Sequence, residues 1–148
     1  MTGPGPWTAS PTNHSYTLPA GSDASWTLPG RRAALVGTAG DGLLHAWMHP
    51  YRVVQDVTLL VGGAATAPVR VSVTPEQVVR DSLADGVAVT ERWTVALEHP
   101  VMVWAVEAPD GVQISLEWTV DDGSTATAPE CLPAADRSGA RLRWPGQP

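Results

Sequence analysis

The run VQISLEWTV at residues 112–120 places an apolar side chain at every second position and a polar side chain between each pair. Because successive side chains of a β-strand point to opposite faces, this alternation predicts a strand with one buried face. A second run, VAVTERWTVAL at residues 87–97, keeps the same period and breaks it only at Glu91. Together the two runs favour an all-β fold.

Turn signals separate the strand-like runs. Tight hairpin turns need positive φ angles, which are supplied by the Asp-Gly pairs at residues 41–42, 85–86 and 110–111, and His99-Pro100 marks a further reversal. We therefore predict a four-stranded antiparallel meander over residues 76–120. Residues 101–106 are apolar on both faces, which is typical of a central strand. Residues 75–80 also fit the start of a helix, but one too short to change the fold class.

Further strand-like runs recur along the chain, at about residues 24–28, 32–38, 43–49, 52–61 and 69–73. No spacing typical of a strand, a helix and a parallel strand is present in the sequence. The spacing predicts an antiparallel β-sandwich of two sheets, supersandwich-like, and leaves a closed barrel as the alternative.

Length and composition limit the class of protein. The chain has 148 residues, the size of one compact domain. Hydrophobic residues make up 43% and charged residues 16%, which excludes disorder driven by excess charge. The net charge of -6 disfavours a protein that binds a nucleic-acid backbone. We predict a loosely ordered arm over residues 1–22, one sandwich domain over residues 23–145 and a linker at residues 146–148.

The sequence shows no targeting or membrane segment. The first residues carry no basic leader followed by an apolar run, and no apolar run is long enough to span a bilayer. We therefore predict a cytoplasmic protein with neither a membrane nor a nucleic-acid partner. The single cysteine, Cys131, cannot form a disulfide within the chain, and we interpret it as incidental.

A search for catalytic motifs finds no phosphate-binding glycine loop, zinc-ligand spacing or nucleophile elbow. Paired carboxylates for glycoside hydrolysis would have to face each other in a cleft. The carboxylates here, Glu91 and Glu98 among them, are predicted to lie in turns or on solvent-facing strand positions. Arg92 is expected to pair with Glu117 or Glu91. We predict no catalytic residue, no metal site and no cofactor.

Seven tryptophans divide into two groups. Four share the period of buried aliphatic residues and are assigned to the core: Trp26, Trp93, Trp104 and Trp118. The others, Trp7, Trp47 and Trp144, are free for another role.

His45, Trp47 and His49 share one face of a predicted strand. Two histidines four residues apart on a strand are about 13 Å apart, because each residue advances about 3.3 Å, so they cannot both bind one metal ion. The face continues into Tyr51 and Arg52. It is either a contact surface or a solvated face.

The segments GLLHAWMHP at residues 42–50 and VVQDV at residues 53–57 resemble the N-terminal β-sandwich domain of bacterial six-hairpin glycosidases, the glycogen-debranching-like and glucoamylase-like enzymes. In that family an early strand with a Gly-containing turn, a Trp-x-x-Pro segment and an Asp-centred strand precede a meander. The segment RLRWP at residues 141–145 is similar to the one that leads from the sandwich into the (α/α)6 catalytic barrel. The resemblance covers residues 24–145.

The resemblance implies a non-catalytic N-terminal accessory domain of a larger glycoside hydrolase that acts on α-glucan-type carbohydrate. Its partner would be the (α/α)6 catalytic domain of the same polypeptide, which holds the catalytic carboxylates. The residues expected at a partner-domain or sugar contact are His45, Trp47, His49, Tyr51, Arg52, Arg141, Arg143 and Trp144. The alternatives are a free-standing carbohydrate-binding β-sandwich module and a small β-sandwich enzyme.

Overall fold

The computed structural model describes residues 14–119 and the backbone of the strands at 130–133 and 140–143. In chain order the strands are β1 (Tyr16–Leu18), β2 (Ser25–Pro29), β3 (Ala33–Thr38), β4 (Gly42–Met48), β5 (Tyr51–Val61), β6 (Ala64–Ala65), β7 (Ala67–Val73), β8 (Gln77–Ala84), β9 (Val87–Val95), β10 (Met102–Glu107), β11 (Ile114–Thr119), β12 (Glu130–Pro133) and β13 (Ala140–Arg143). This part of the chain contains no helix. The prediction of an all-β protein is confirmed.

Two antiparallel sheets form the sandwich within residues 14–119. Sheet A has the order β1-β7-β8-β9-β10, and sheet B has the order β11-β5-β4-β3-β2, with β6 paired to β5. The segment at residues 16–18, inside the predicted arm, pairs with β7 as the edge of sheet A. The segment at residues 75–80 contributes to strand β8, not to a helix, and the Thr74 hydroxyl accepts a hydrogen bond from the Gln77 backbone N–H at 3.1 Å in the preceding turn.

The predicted meander is present for three of its four strands. Strands β8, β9 and β10 pair in sequence in sheet A, whereas β11 pairs with β5 in sheet B. The chain changes sheets after β10, through the turn at Gly111, whose φ is 80°. Alternation is a local property and does not specify a pairing partner, so the sequence alone could not separate β11 from the meander.

The prediction that residues 101–106 form a central strand is wrong, because β10 is the edge strand of sheet A. Trp104 is half-buried and packs against the core. Val101 and Val103 point away from it and are about half exposed, at 49% and 51%. An edge strand with an apolar outer face therefore has the same sequence pattern as a central strand.

Tryptophans connect the two sheets in the core. Trp26 of sheet B lies 5.2 Å from Trp93 of sheet A between ring centroids, and Trp93 lies 5.8 Å from Trp104, its cross-strand neighbour. Trp26 and Trp93 are fully buried, and Trp118 packs against the same cluster from β11. Aromatic pairs at these centroid distances add to the stabilisation from buried area. The predicted core positions of these four tryptophans are confirmed.

A glycine allows the close approach of strands around Trp26. A Cβ atom added at Gly37 would overlap both the Trp26 ring and the backbone carbonyl of Gly42. Trp26 also donates a hydrogen bond from its indole nitrogen to the Thr38 carbonyl at 3.1 Å. Any side chain at position 37 would therefore displace the fully buried Trp26 ring.

Candidate functional site

The predicted face with His45 and Trp47 lies on the side of sheet B opposite to the core. His45 is paired with Val36 and Trp47 with Ala34, while Ala46, between them, is buried opposite Leu35. The alternation in β4 therefore holds at these three positions. We call the outward surface formed by His45, Trp47 and Arg52 the Trp47 face. Tyr51 is paired with Met48, and Met48 with the buried Ala33, so Tyr51 points to the other side of the sheet and its predicted place on this face is wrong.

Trp47 and Arg52 form the centre of the Trp47 face. They are direct partners in the β4–β5 ladder, and the Arg52 guanidinium carbon lies 5.8 Å from the centroid of the Trp47 ring. This distance is within the range of a cation–π contact. Both side chains are half-buried, whereas His49 is exposed and Tyr51 is 71% exposed at the adjoining hairpin turn.

His45 is the third residue of the Trp47 face, and its side chain is half-buried. Its Nδ1 atom is buried and has no hydrogen-bond partner among the described residues. The predicted contact residues Arg141 and Arg143 lie in β13, which pairs with β12, and their side chains are outside the description. Trp144 and Trp7 lie outside the described residues. Of the eight predicted contact residues, the structure thus places His45, Trp47 and Arg52 on one face, with His49 in the adjoining turn.

Sheet B also contains a cleft that the sequence reasoning missed. The ladder between β4 and β5 runs from Met48–Tyr51 to His45–Gln55 and ends there, while β5 continues beside β11. Asp56 follows with a left-handed φ of 52°, which Asp tolerates better than most residues. A cleft of about 440 Å³ lies where the two strands separate, and we call it the Asp56 cleft.

The Asp56 cleft has a polar lining with one apolar wall. Its walls include the exposed carboxylates of Asp41 and Asp56 and the hydroxyl-bearing side chains of Thr58 and Thr66. Leu44 supplies apolar surface, and Arg80 reaches the cleft from sheet A. Together these side chains form a polar cluster that the sequence pattern did not predict.

Arg80 joins the two sheets beneath the cleft. Its Nη2 donates to the Gly40 carbonyl at 2.7 Å, and its Nη1 donates to the Thr66 hydroxyl at 2.9 Å and to Glu91 at 2.6 Å. The side chains of Arg80 and Glu91 are only 3% and 2% exposed. Arg80 therefore connects the β3–β4 turn and the β6–β7 link to the core of sheet A.

Burial dominates the acid–base behaviour of Glu91. Loss of hydration raises its pKa above the ordinary value of 4.5, while the charge of Arg80 and the hydrogen bond from Arg80 lower it in part. The Trp104 indole N–H also points toward this carboxylate and lowers the pKa slightly, although its geometry falls short of a full hydrogen bond. The desolvation of the carboxylate thus outweighs the stabilisation that its partners provide.

The predictions for Glu91 and Arg92 were wrong. Glu91 is not on the solvent side of β9 but faces the core, in register with Trp93 and Val89. Arg92 faces outward and pairs with Glu107 at 4.0 Å, not with Glu117 or Glu91. Glu91 instead pairs with Arg80. The sequence indicates this pair, because a two-residue turn at Asp85-Gly86 places Arg80 directly opposite Glu91.

The carboxylates of the cleft lie in a hydrated environment. Asp41 and Asp56 are both exposed, whereas a general acid in a glycosidase is set apart by a desolvating environment. Among the described residues no group of three or more His, Cys, Asp or Glu side chains could hold a metal ion. The cleft thus offers acceptors and donors for hydrogen bonds with a small ligand.

Comparison with protein-family models, curated proteins and solved structures finds no match to this chain. In the part of the chain that the structure describes, no helix is long and apolar enough to cross a membrane.

Proposed function

We propose that this chain is a non-catalytic accessory domain that docks through the Trp47 face onto the (α/α)6 catalytic domain of a glycoside hydrolase acting on α-glucan-type carbohydrate. The observation that carries the proposal is the position of Trp47 and Arg52 on the outside of sheet B. The core on the inner side is filled without them. Protein interfaces are enriched in Trp and Arg, the two residue types that meet here.

The arrangement of the Trp47 face suits a docking surface. Trp47 and Arg52 are held by two adjacent strands, so they need little ordering when a partner binds. Exposed His49 lies at the adjoining hairpin turn. A rigid aromatic centre with adaptable polar groups beside it is the usual composition of the energetic centre of an interface.

The identity of the partner is supported by the resemblance of residues 42–57 to the sandwich domains of six-hairpin glycosidases. The all-β sandwich is compatible with that resemblance. Sequencing the gene on both sides of the segment that encodes this chain tests this part of the proposal. We expect a helical catalytic domain there, and an unrelated neighbouring domain would contradict the proposed partner.

Binding between the isolated chain and that catalytic domain tests the surface. In isothermal titration calorimetry, Trp47→Ala should weaken binding by about tenfold or more, as truncation of a central aromatic does. Leu83→Ala is the matched control, because Leu83 is an exposed apolar residue, 44% accessible, on sheet A. Equal effects of Leu83→Ala and Trp47→Ala would contradict docking through the Trp47 face.

A further inference from the structure

We infer that the Asp56 cleft binds a small neutral polyhydroxylated compound, such as the end of a saccharide. The cleft lies at the separation of β4 and β5, beyond the His45–Gln55 pair and so away from Trp47. The inference rests on the cleft residues alone and does not depend on the proposed docking function.

The shape of the cleft is built into the strands. It forms because β4 pairs only with β3 over Gly42 and Leu43, while β5 turns at Asp56 toward β11. A non-glycine residue in the left-handed region is held there by the surrounding structure, and such residues are concentrated at functional sites. The volume of about 440 Å³ is within the range of small-molecule sites.

Buried Arg80 gives the cleft a fixed polar floor. Its side chain is 3% exposed, and its Nε atom has no hydrogen-bond partner among the described residues. The rest of the guanidinium is held by Glu91, Thr66 and the Gly40 carbonyl. The Nε atom is itself sealed from solvent, so the polar groups that a ligand in the cleft can reach are the exposed side chains of Asp41, Asp56 and Thr58.

Charge narrows the class of ligand. The Arg80–Glu91 pair is neutral overall, so the exposed Asp41 and Asp56 make the cleft anionic, which disfavours phosphates and carboxylates. Neither aspartate has an ion-pair partner in the described part of the chain, and no three-residue metal-binding group is present there. Carboxylate acceptors combined with hydroxyl donors match a compound that carries several hydroxyl groups on a compact apolar frame.

Solution NMR of the full chain with glucose and maltose as probes tests the inference. We expect saturable shifts of the backbone amides of Asp41, Asp56, Thr58 and Thr66. Asp56→Asn keeps a residue that accepts the left-handed conformation and removes the charge, and it should weaken binding about tenfold. Thr58→Val, which removes one hydroxyl at nearly constant volume, should weaken binding as well.

Thr27→Val is the matched control, since Thr27 is an exposed strand threonine away from the cleft. It should leave the binding of both sugars unchanged. The absence of saturable shifts for both sugars would overturn the inference. So would shifts confined to the Trp47 face, which would instead favour a carbohydrate-binding surface there. The sugar-induced shifts do not depend on whether the chain binds a catalytic domain. The proposed cleft ligand and the proposed docking function can therefore be disproved independently.

Discussion

Arg80 and Glu91 lie directly opposite each other on β8 and β9 and form an ion pair of 2.6 Å between two almost fully buried side chains. The same guanidinium reaches across to the β3–β4 turn and the β6–β7 link. One cation therefore neutralises a buried carboxylate and fixes two connections at the edge of the Asp56 cleft.

Replacing Arg80 with methionine should destabilise the domain strongly. Arg80→Met leaves Glu91 without its cationic partner and removes the contacts to Gly40 and Thr66, and loss of one member of a buried pair costs about 3–5 kcal/mol in the free energy of unfolding. The measurement is urea denaturation. Arg31→Ala, at an exposed pair with 74% and 55% accessible side chains, is the control and should cost less than about 1 kcal/mol.

The second variant of this test replaces both partners. Arg80→Met combined with Glu91→Leu should be more stable than Arg80→Met alone, because no buried charge is left unpaired. If the double variant were as unstable as Arg80→Met, the connections to Gly40 and Thr66, and not the buried charge, would account for the loss.

Stability should depend on pH through Glu91. Because its folded-state pKa is raised above 4.5, the folded chain holds a proton that the unfolded chain has released, so the contribution of Glu91 to stability is present below pH 4.5 and is lost as the pH rises through the raised pKa. Glu91→Gln removes this titration. The free energy of unfolding of the natural chain, minus that of the variant, should fall from pH 4.5 toward neutral pH.

Urea denaturation at several pH values measures this difference. A difference that rises with pH would mean that Arg80 lowers the pKa of Glu91 more than burial raises it. The exposed Glu98→Gln variant serves as the comparison, and the same difference for it should change far less with pH.

The sequence pattern predicted the strands and turns of this fold well. Alternation located β9 and β11, and the Asp85-Gly86 turn was placed correctly, because both depend on residues close together in the chain. The sheet to which β11 belongs depends on β5, more than fifty residues earlier, and alternation carries no information about such a partner.

In the candidate site, too, features that depend on nearby residues were predicted, and features that depend on the paired strands were not. The outward position of Trp47 follows from the strand period and was predicted. The Asp56 cleft arises where a strand ladder ends and a backbone dihedral changes sign, neither of which a residue pattern reports. Glu91 was misplaced because a charged residue was assumed to be solvated, although the hairpin register places Arg80 opposite it.

Substitution of Gly37 by alanine should disrupt packing in the core. The added Cβ would overlap the Trp26 ring and a backbone carbonyl, so Gly37→Ala should cost at least about 1–3 kcal/mol, the range for overpacking. Thr27→Ala, at an exposed site on the neighbouring strand, should change stability by less than about 0.5 kcal/mol. Equal stability of Gly37→Ala and the natural chain would show that the strands can separate around Trp26 without cost.

The isolated chain should not hydrolyse glycosidic bonds. The exposed carboxylates of Asp41 and Asp56 lack the desolvated environment of a general acid. Incubation of the purified chain with maltooligosaccharides should release no more reducing sugar than buffer. Release that is abolished by Asp41→Asn or Asp56→Asn would identify the cleft as a catalytic site and contradict the accessory role.

The free energy of unfolding of Trp47→Ala, measured by urea denaturation in the isolated chain and in the chain joined to its (α/α)6 domain, tests the central claim most directly. Docking through the Trp47 face predicts a loss well below about 3 kcal/mol in the isolated chain and a clearly larger loss in the joined protein, because the rest of the half-buried Trp47 ring is then covered at an interface. A loss of about 3–5 kcal/mol in the isolated chain would place Trp47 within the core of the sandwich and contradict the claim.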